Sequence, residues 1–302
     1  MLNTSRRNFL RQSSMMAGAL ILPDYAAPLN WLFPAAGQMK PLRNNVGVYT
    51  NRGGTIAWMI SKKGIVVVDT QFPAEAADLV EQIRKQNQRP VDLLINTHHH
   101  GDHSGGNIAF KGIAKKVLAH KNSKINQENV AREQNKLSET LLPDATFDKT
   151  WSEKVGKERM TLHYFGPGHT NGDALIHFEK ANVVHMGDLV FNRRYPFVDK
   201  KAGASVANWI TVLETARKTF EKDTIYVFGH AFDPEKITGT AEDLKAFENY
   251  LSKLLEHVQK SLSAGMSKEE ILKTTSIPGA EEWQGQGIER SLSAALEELG
   301  GS

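Results

Sequence analysis

The chain has 302 residues, room for one large domain or two ordinary ones, and 40% hydrophobic with 24% charged content marks it as a folded protein rather than a disordered or fibrous one. A net charge of +3, scattered along the chain, gives no basis for a nucleic-acid surface. Cysteine is absent, so no disulfide forms and no thiolate ligates a metal.

The N-terminus reads Arg6-Arg7-Asn8-Phe9-Leu10, followed by an apolar run over residues 15–22 and Pro23. A positive stretch before a short apolar one is a signal-peptide layout, and the run is too short to span a bilayer. The paired arginines before Phe-Leu resemble a twin-arginine export signal. That resemblance implies export of an already folded protein, a periplasmic or otherwise exported location, and no stable membrane insertion after the signal is removed. Residues 1–37 are read as this signal and its linker.

Residues 46–49 and 55–61 are rich in strand formers, and Lys62-Lys63-Gly64 is a turn. The run over 65–68 is apolar throughout and ends at Asp69, as a buried strand does. Residues 73–86 read as a helix with Ala76, Val80 and Ile83 on one face and Pro73 near its start. A second buried strand over 91–96 leads into Thr97-His98-His99-His100-Gly101-Asp102-His103. A short strand at 116–119, a polar helical segment at 125–137, and strands at 161–165, 174–178 and 183–186 follow. Residues 206–220 form an amphipathic helix, and a strand over 225–228 ends at Gly229-His230. From Thr240 the pattern is helical: one helix to about Ala264, a capping box from Ser267 to Glu270, and a last helix over 280–299.

This order suggests an α/β chain of two packed sheets covered by helices. Its parts are a catalytic domain over 38–239 and a C-terminal helical extension over 240–302. Leu244, Phe247, Leu251 and Leu255 share one face of the long helix, a packing face that also leaves a homodimer open.

His98-x-His100-x-Asp102-His103 places three imidazoles and a carboxylate within six residues directly after a strand. Imidazole nitrogen and carboxylate oxygen are a zinc ligand set. Gly101, Gly105 and Gly106 supply the loop that the spacing needs. Three further segments put a potential ligand in a Gly-containing turn at a strand end: Gly166-Pro167-Gly168-His169-Thr170, Gly187-Asp188 and Gly229-His230. His99, His120, His163, His177, His185 and His257 are read as structural, and Trp58 and Trp209 as core. Arg193, Arg194 and Tyr195 follow Asp188 as a solvated basic loop within reach of a substrate carboxylate.

This ordered set resembles the metallo-β-lactamase superfamily, over about residues 46–230. The resemblance implies a four-layer αββα sandwich with two divalent metal ions, zinc by preference, at one edge of the sheets. His98, His100 and His169 would hold the first ion; Asp102, His103 and His230 the second; Asp188 would bridge them, and Asp69 would orient ligands. The implied activity is hydrolysis of a small-molecule ester, thioester, lactone or amide by a metal-bridging hydroxide, with Asp102 as the catalytic residue that helps move the proton. The spelling Thr-His-His-His-Gly-Asp-His-Ser-Gly-Gly-Asn is most similar to glyoxalase II and its thioesterase relatives. No glutathione-binding segment is matched in the C-terminal helices, so the chemistry carries over without that substrate. Two alternatives share the fold: a strict β-lactamase, whose known forms use a cysteine ligand or lack an acid matching Asp188, and a sulfur dioxygenase with a single iron and no complete second ligand set.

Overall fold

The structure is a computed structural model that describes residues 37–300; the signal segment with Arg6 and Arg7 lies outside them. Seven strands form one sheet in sequence order: β1 (Gln38–Arg43), β2 (Val46–Thr50), β3 (Ile56–Ser61), β4 (Gly64–Val68), β5 (Leu93–Asn96), β6 (Val117–His120) and β7 (Ala145–Phe147). The first four pair as antiparallel hairpins and the rest are parallel. Parallel pairing requires crossovers. These carry the helices α1 (Pro73–Gln86), α2 (Gly101–Ser104) and α3 (Lys121–Glu133).

The second sheet holds β8 (Thr150–Val155), β9 (Glu158–His163), β10 (Leu175–Phe178) and β11 (Val183–His185). A short ladder pairs β12 (Phe191–Asn192) with β14 (His230–Ala231) beside it. Helix α4 (Val206–Thr219) then returns the chain to β13 (Ile225–Val227), parallel to β11, and β15 (Thr238–Gly239) closes that edge. Helices α5 (Ala241–Ser263), α6 (Lys268–Ile271) and α7 (Ile288–Glu298) complete the described chain. None of the described helices is long and apolar enough to cross a membrane.

The run in β4 shows why the layers form. Ile65 and Val67 pack outward against Ala76, Leu79, Val80 and Ile83 of α1. Val66 and Val68 pack inward against Leu162, Ile176, Phe178 and Val227 of the second sheet. A strand covered on both faces needs no polar alternation. The outer face of the second sheet, with Leu175, Val184 and Tyr226, is covered by Trp209, Val212 and Leu213 of α4 and by Leu244, Phe247 and Leu251 of α5. The apolar face of α5 is thus buried within the chain, and its buried positions offer no dimer contact. Trp58 and Trp209 are core residues, as expected.

The last helix is shorter than expected. Gly285 and Gly287 take φ values of 94° and 106°, a left-handed conformation that no helix contains, so helical geometry begins only at Ile288. Strands β1, β7 and β8 were not anticipated. All three are edge strands, and β8 alternates half-buried and exposed residues rather than presenting an apolar run.

Candidate metal centre

The site forms where β4 and β5 end. Asp69, immediately after β4, sits at φ 67° and is fully buried. Its Oδ1 accepts the Thr97 amide at 2.7 Å, and its Oδ2 accepts the Thr97 hydroxyl at 2.7 Å and His103 Nδ1 at 2.8 Å. This carboxylate ties the end of β4 to the loop after β5. The loop bends through His98 and His99, is extended at His100 and then turns into α2, where the His103 amide donates to the His100 carbonyl at 3.0 Å. Asp102 and His103 are thereby folded back beside the first two histidines.

Two groups of donor atoms result. In the first, His100 Nδ1 lies 3.1 Å from His98 Nε2 and 2.8 Å from His169 Nε2. Asp188 Oδ2 lies 3.5 Å from His169 Nε2 and 3.9 Å from His98 Nε2. In the second, His230 Nε2 is 3.1 Å from Asp102 Oδ2 and 3.5 Å from His103 Nε2. Asp188 reaches this group as well, with Oδ2 3.4 Å from His230 Nε2 and Oδ1 2.9 Å from His103 Nε2. All seven residues expected as ligands therefore converge, and Asp188 stands between the two groups.

The chemistry of the donor set fits divalent cations. Each of four histidines gives its far nitrogen to a partner: His98 Nδ1 to the Thr97 hydroxyl at 3.0 Å, His100 Nε2 to Asp199 at 2.9 Å, His169 Nδ1 to the Phe197 carbonyl at 2.8 Å, and His103 Nδ1 to Asp69. These partners place the N–H on the outer nitrogen, which leaves the inner lone pair facing the cluster. Ligands at zinc distances of about 2.0–2.2 Å in a tetrahedron stand roughly 3.3 Å apart, close to the separations here. Asp188 Oδ1 is buried and faces His103 Nε2 at 2.9 Å, with the other ring nitrogen of His103 already committed to Asp69.

Charge is distributed to match. Burial, together with the neighbouring histidines, holds His98 well below the ordinary imidazole range and His169 at about 3, so both present neutral nitrogen. At His103 and His230 burial also disfavours the cation, but the surrounding carboxylates, Asp188 foremost with Asp102, together prevail; they raise His103 well above its usual value and His230 to about 9. Burial opposes ionisation of Asp102, yet the His103 and His230 charges take it down to about 2, and Asp188 falls well below the carboxylate range. The second group is a place where carboxylates demand positive charge.

Other residues take supporting places. Asp173 accepts the Thr170 amide at 2.8 Å and its hydroxyl at 2.6 Å, bracing the turn that carries His169. His185 donates to the Thr55 carbonyl at 2.9 Å and accepts the Gly187 amide at 3.0 Å, bracing the turn before Asp188. His120 caps α3. His99 belongs to neither group; its Nε2 lies 3.6 Å from Asp199, beside the outer nitrogen of His100. Of the basic loop, Arg193 lies over Trp283 and Tyr195 is buried. Arg194 is exposed and has no ion-pair partner among the described residues; with His230, Gln71 and Gly54 it lines a cavity of about 210 Å³. Sequence reasoning missed Asp199 and the Phe197 carbonyl, which lie in an irregular segment without a motif; the only signal there was an acid in a loop following Asp188.

The metallo-beta-lactamase superfamily profile matches residues 50–245. A protein named "Metallo-beta-lactamase type 2" from Elizabethkingia meningoseptica is 28% identical over 262 residues, covering 81% of this chain and 96% of that protein. Among solved structures, a metallo-beta-lactamase from Pontibacter korlensis aligns with TM-score 0.59 at 20% identity, over 72% of this chain and 99% of that one. A double mutant of a sec-alkyl sulfatase aligns with TM-score 0.69 at 13% identity, over 87% of this chain and 50% of that one. At these identities the two structures speak to the fold. With the profile spanning well over half the chain, the chain belongs to the metallo-beta-lactamase superfamily and is a metal-dependent hydrolase.

Proposed function

We propose that the chain is a binuclear hydrolase of a small ester, thioester, lactone or amide. His98, His100 and His169 hold the first ion, Asp102, His103 and His230 the second, and Asp188 bridges them. The observation that supports this most directly is the position of Asp188, whose two oxygens come within 2.9–3.9 Å of histidines from both groups. When bound, a pair of divalent ions, zinc by ligand type, would supply water acidified to near neutrality and polarise the scissile carbonyl.

The chain's own residues do the rest. The outer acceptors hold each imidazole in its ligating tautomer. Asp102, the most exposed of the carboxylates at 30% side-chain exposure, is placed to receive and pass on a proton. Arg194 lines the cavity beside His230 and has no ion-pair partner among the described residues, which favours substrates bearing an anionic group on that side.

The similarity to a protein named as a β-lactamase favours a strict β-lactamase as the second reading. Metal analysis of purified protein, followed by a screen of esters, thioesters, lactones and β-lactams on the same sample, separates the two. Two metals with turnover of the first three classes support our reading. Turnover of β-lactams alone supports the second, and one iron with oxygen-dependent turnover supports the dioxygenase. Export by the Arg6-Arg7 signal also stays a proposal: changing both to Lys should retain the folded protein in the cytoplasm, and normal export of that variant would end it.

A further inference from the structure

Residues 193–205, between β12 and α4, contain no helix or strand. They nevertheless supply the outer acceptors for two of the three first-group histidines: the Phe197 carbonyl for His169 and the Asp199 carboxylate for His100. The Asp199 amide also donates to the His169 carbonyl at 3.1 Å, and Asp199 Oδ1 accepts the Ala202 amide at 3.0 Å.

An irregular strap has no ladder of its own to fix it, and each residue held in place loses backbone entropy. The His169 turn holds part of it, through the Asn171 amide on the Ala202 carbonyl at 2.8 Å and the Ser205 amide on the Gly168 carbonyl at 3.1 Å; further contacts come from the C-terminal helices and the turn before the last one. The Gln284 amide donates to the Arg193 carbonyl at 3.0 Å, and the Tyr195 amide to the Gln284 carbonyl at 3.2 Å. Ser291, fully buried on α7, donates its hydroxyl to the Pro196 carbonyl at 2.8 Å. Arg290 lies over the Phe197 ring. At the far end Glu298 accepts the Val206 amide at 2.8 Å, the Ala207 amide at 2.9 Å and the Ser205 hydroxyl at 3.0 Å, and pairs with Lys200 at 3.2 Å. Both ends of the strap are thus held by a part of the chain beyond the family match, which stops at residue 245.

We propose that the C-terminal helices are a positioning element for the first metal. Through Ser291 and Glu298 they hold residues 196–199 in place, and these in turn set the rings of His100 and His169. This rests on the ligand assignment above. Ser291, Glu298 and Asp199 are positioning residues, acting through the histidines.

The test uses the full chain and zinc itself as probe, titrated against a chromophoric chelator. A His230→Ala background leaves the first position to be measured, and a His98→Ala background the second. If the His230→Ala parent binds no zinc, the ligand assignment has failed before any strap variant is read. If it binds, Asp199→Ala should weaken the first position by roughly 10–100-fold, the usual cost of losing an outer-shell partner. Ser291→Ala and Glu298→Gln should weaken it in the same direction by a smaller factor. In the His98→Ala background all three should leave the second position unchanged, whereas general destabilisation would weaken both. Glu256→Gln, on the exposed face of α5, is the control. Parental first-position affinity in both Ser291→Ala and Glu298→Gln overturns the proposal, as does equal loss at both positions. Should Ser291→Ala not fold, Glu298→Gln, at 16% side-chain exposure, decides alone.

Discussion

His169 Nε2 and His100 Nδ1 lie 2.8 Å apart, although each ring directs its N–H at an acceptor on its other side, the Phe197 carbonyl and the Asp199 carboxylate. Two lone pairs at that distance repel unless a cation lies between them. Metal removal should therefore cost stability as well as activity. A ligand at a thousand times its Kd stabilises the native state by about 4 kcal/mol. In a chain of this size that corresponds to a Tm drop on the order of 10 °C on chelation. Calorimetry with and without chelator checks it, and zinc should restore both Tm and hydrolysis. An unchanged Tm would show that the cluster is not a metal site.

Asp188→Asn keeps the size and one oxygen but removes the charge that, on the proposed assignment, would balance two cations. The second metal should bind far more weakly while much of the first is retained. The rate should fall on the order of 10²-fold, about 2.7 kcal/mol of barrier. Metal stoichiometry and kcat measured together decide it. Two full metals with near-normal activity would remove Asp188 from the bridging role. Asp173→Asn is not a neutral control: Asp173 accepts two close hydrogen bonds from Thr170, and an amide would satisfy fewer donors.

Gly54 packs against the ligand loop so closely that a Cβ there would stand 2.1 Å from His103 Cε1 and 2.2 Å from its Nε2. Asp69 prevents that ring from yielding. Gly54→Ala should therefore abolish second-metal binding while the first remains. Gly101→Ala, whose Cβ meets nothing within 4 Å, should leave both. Metal counts on the two variants provide the comparison.

Arg194→Ala should raise KM for substrates with a carboxylate and leave kcat, and neutral substrates, largely unaffected. One lost charge-assisted hydrogen bond is worth about 1.5–3 kcal/mol, or roughly 10–100-fold in KM. Equal effects on charged and neutral substrates would show that the guanidinium does not contact the substrate.

Burial pushes the Glu298 carboxyl up, but the Ala207 and Val206 amides prevail, so it titrates below its usual 4.5. A group depressed in the folded state contributes stability above its unfolded pKa and loses it as pH falls through the folded value. Wild type should exceed Glu298→Gln by about 1 kcal/mol at pH 7, the scale of a helix cap. The gap should narrow below pH 4.5. Urea melts of both proteins across that range test the sign; a gap that widens in acid would contradict it.

The site was far more legible than its frame. His98, His100, Asp102 and His103 fall within six residues, and His169, Asp188 and His230 each sit beside a glycine, so local sequence carries the ligand chemistry. The buried strands β4 and β5 were readable because both faces are covered and the apolar runs are continuous. Strand β8 was not, because at a sheet edge its pairing is set by a neighbour rather than by its own pattern. Asp199 was invisible for a related reason: its role depends on an irregular segment held from outside by α7, 92 or more residues further along. The last helix was overdrawn because apolar spacing continued across glycines whose φ values forbid it.

The Thr55 amide and hydroxyl both donate to the Gly229 carbonyl, at 2.9 and 3.2 Å, across 174 residues of chain. This contact joins the connection between β2 and β3 to the turn bearing His230, and it sets an order of events. On a ribosome, no emerging chain shorter than about residue 230 can complete the second group, however well its first sheet has formed. Long-range closures of this kind form late and slowly. Uptake of the second ion should accordingly coincide with the final docking of the two halves during refolding, which makes that ion a natural clock for the last step of assembly.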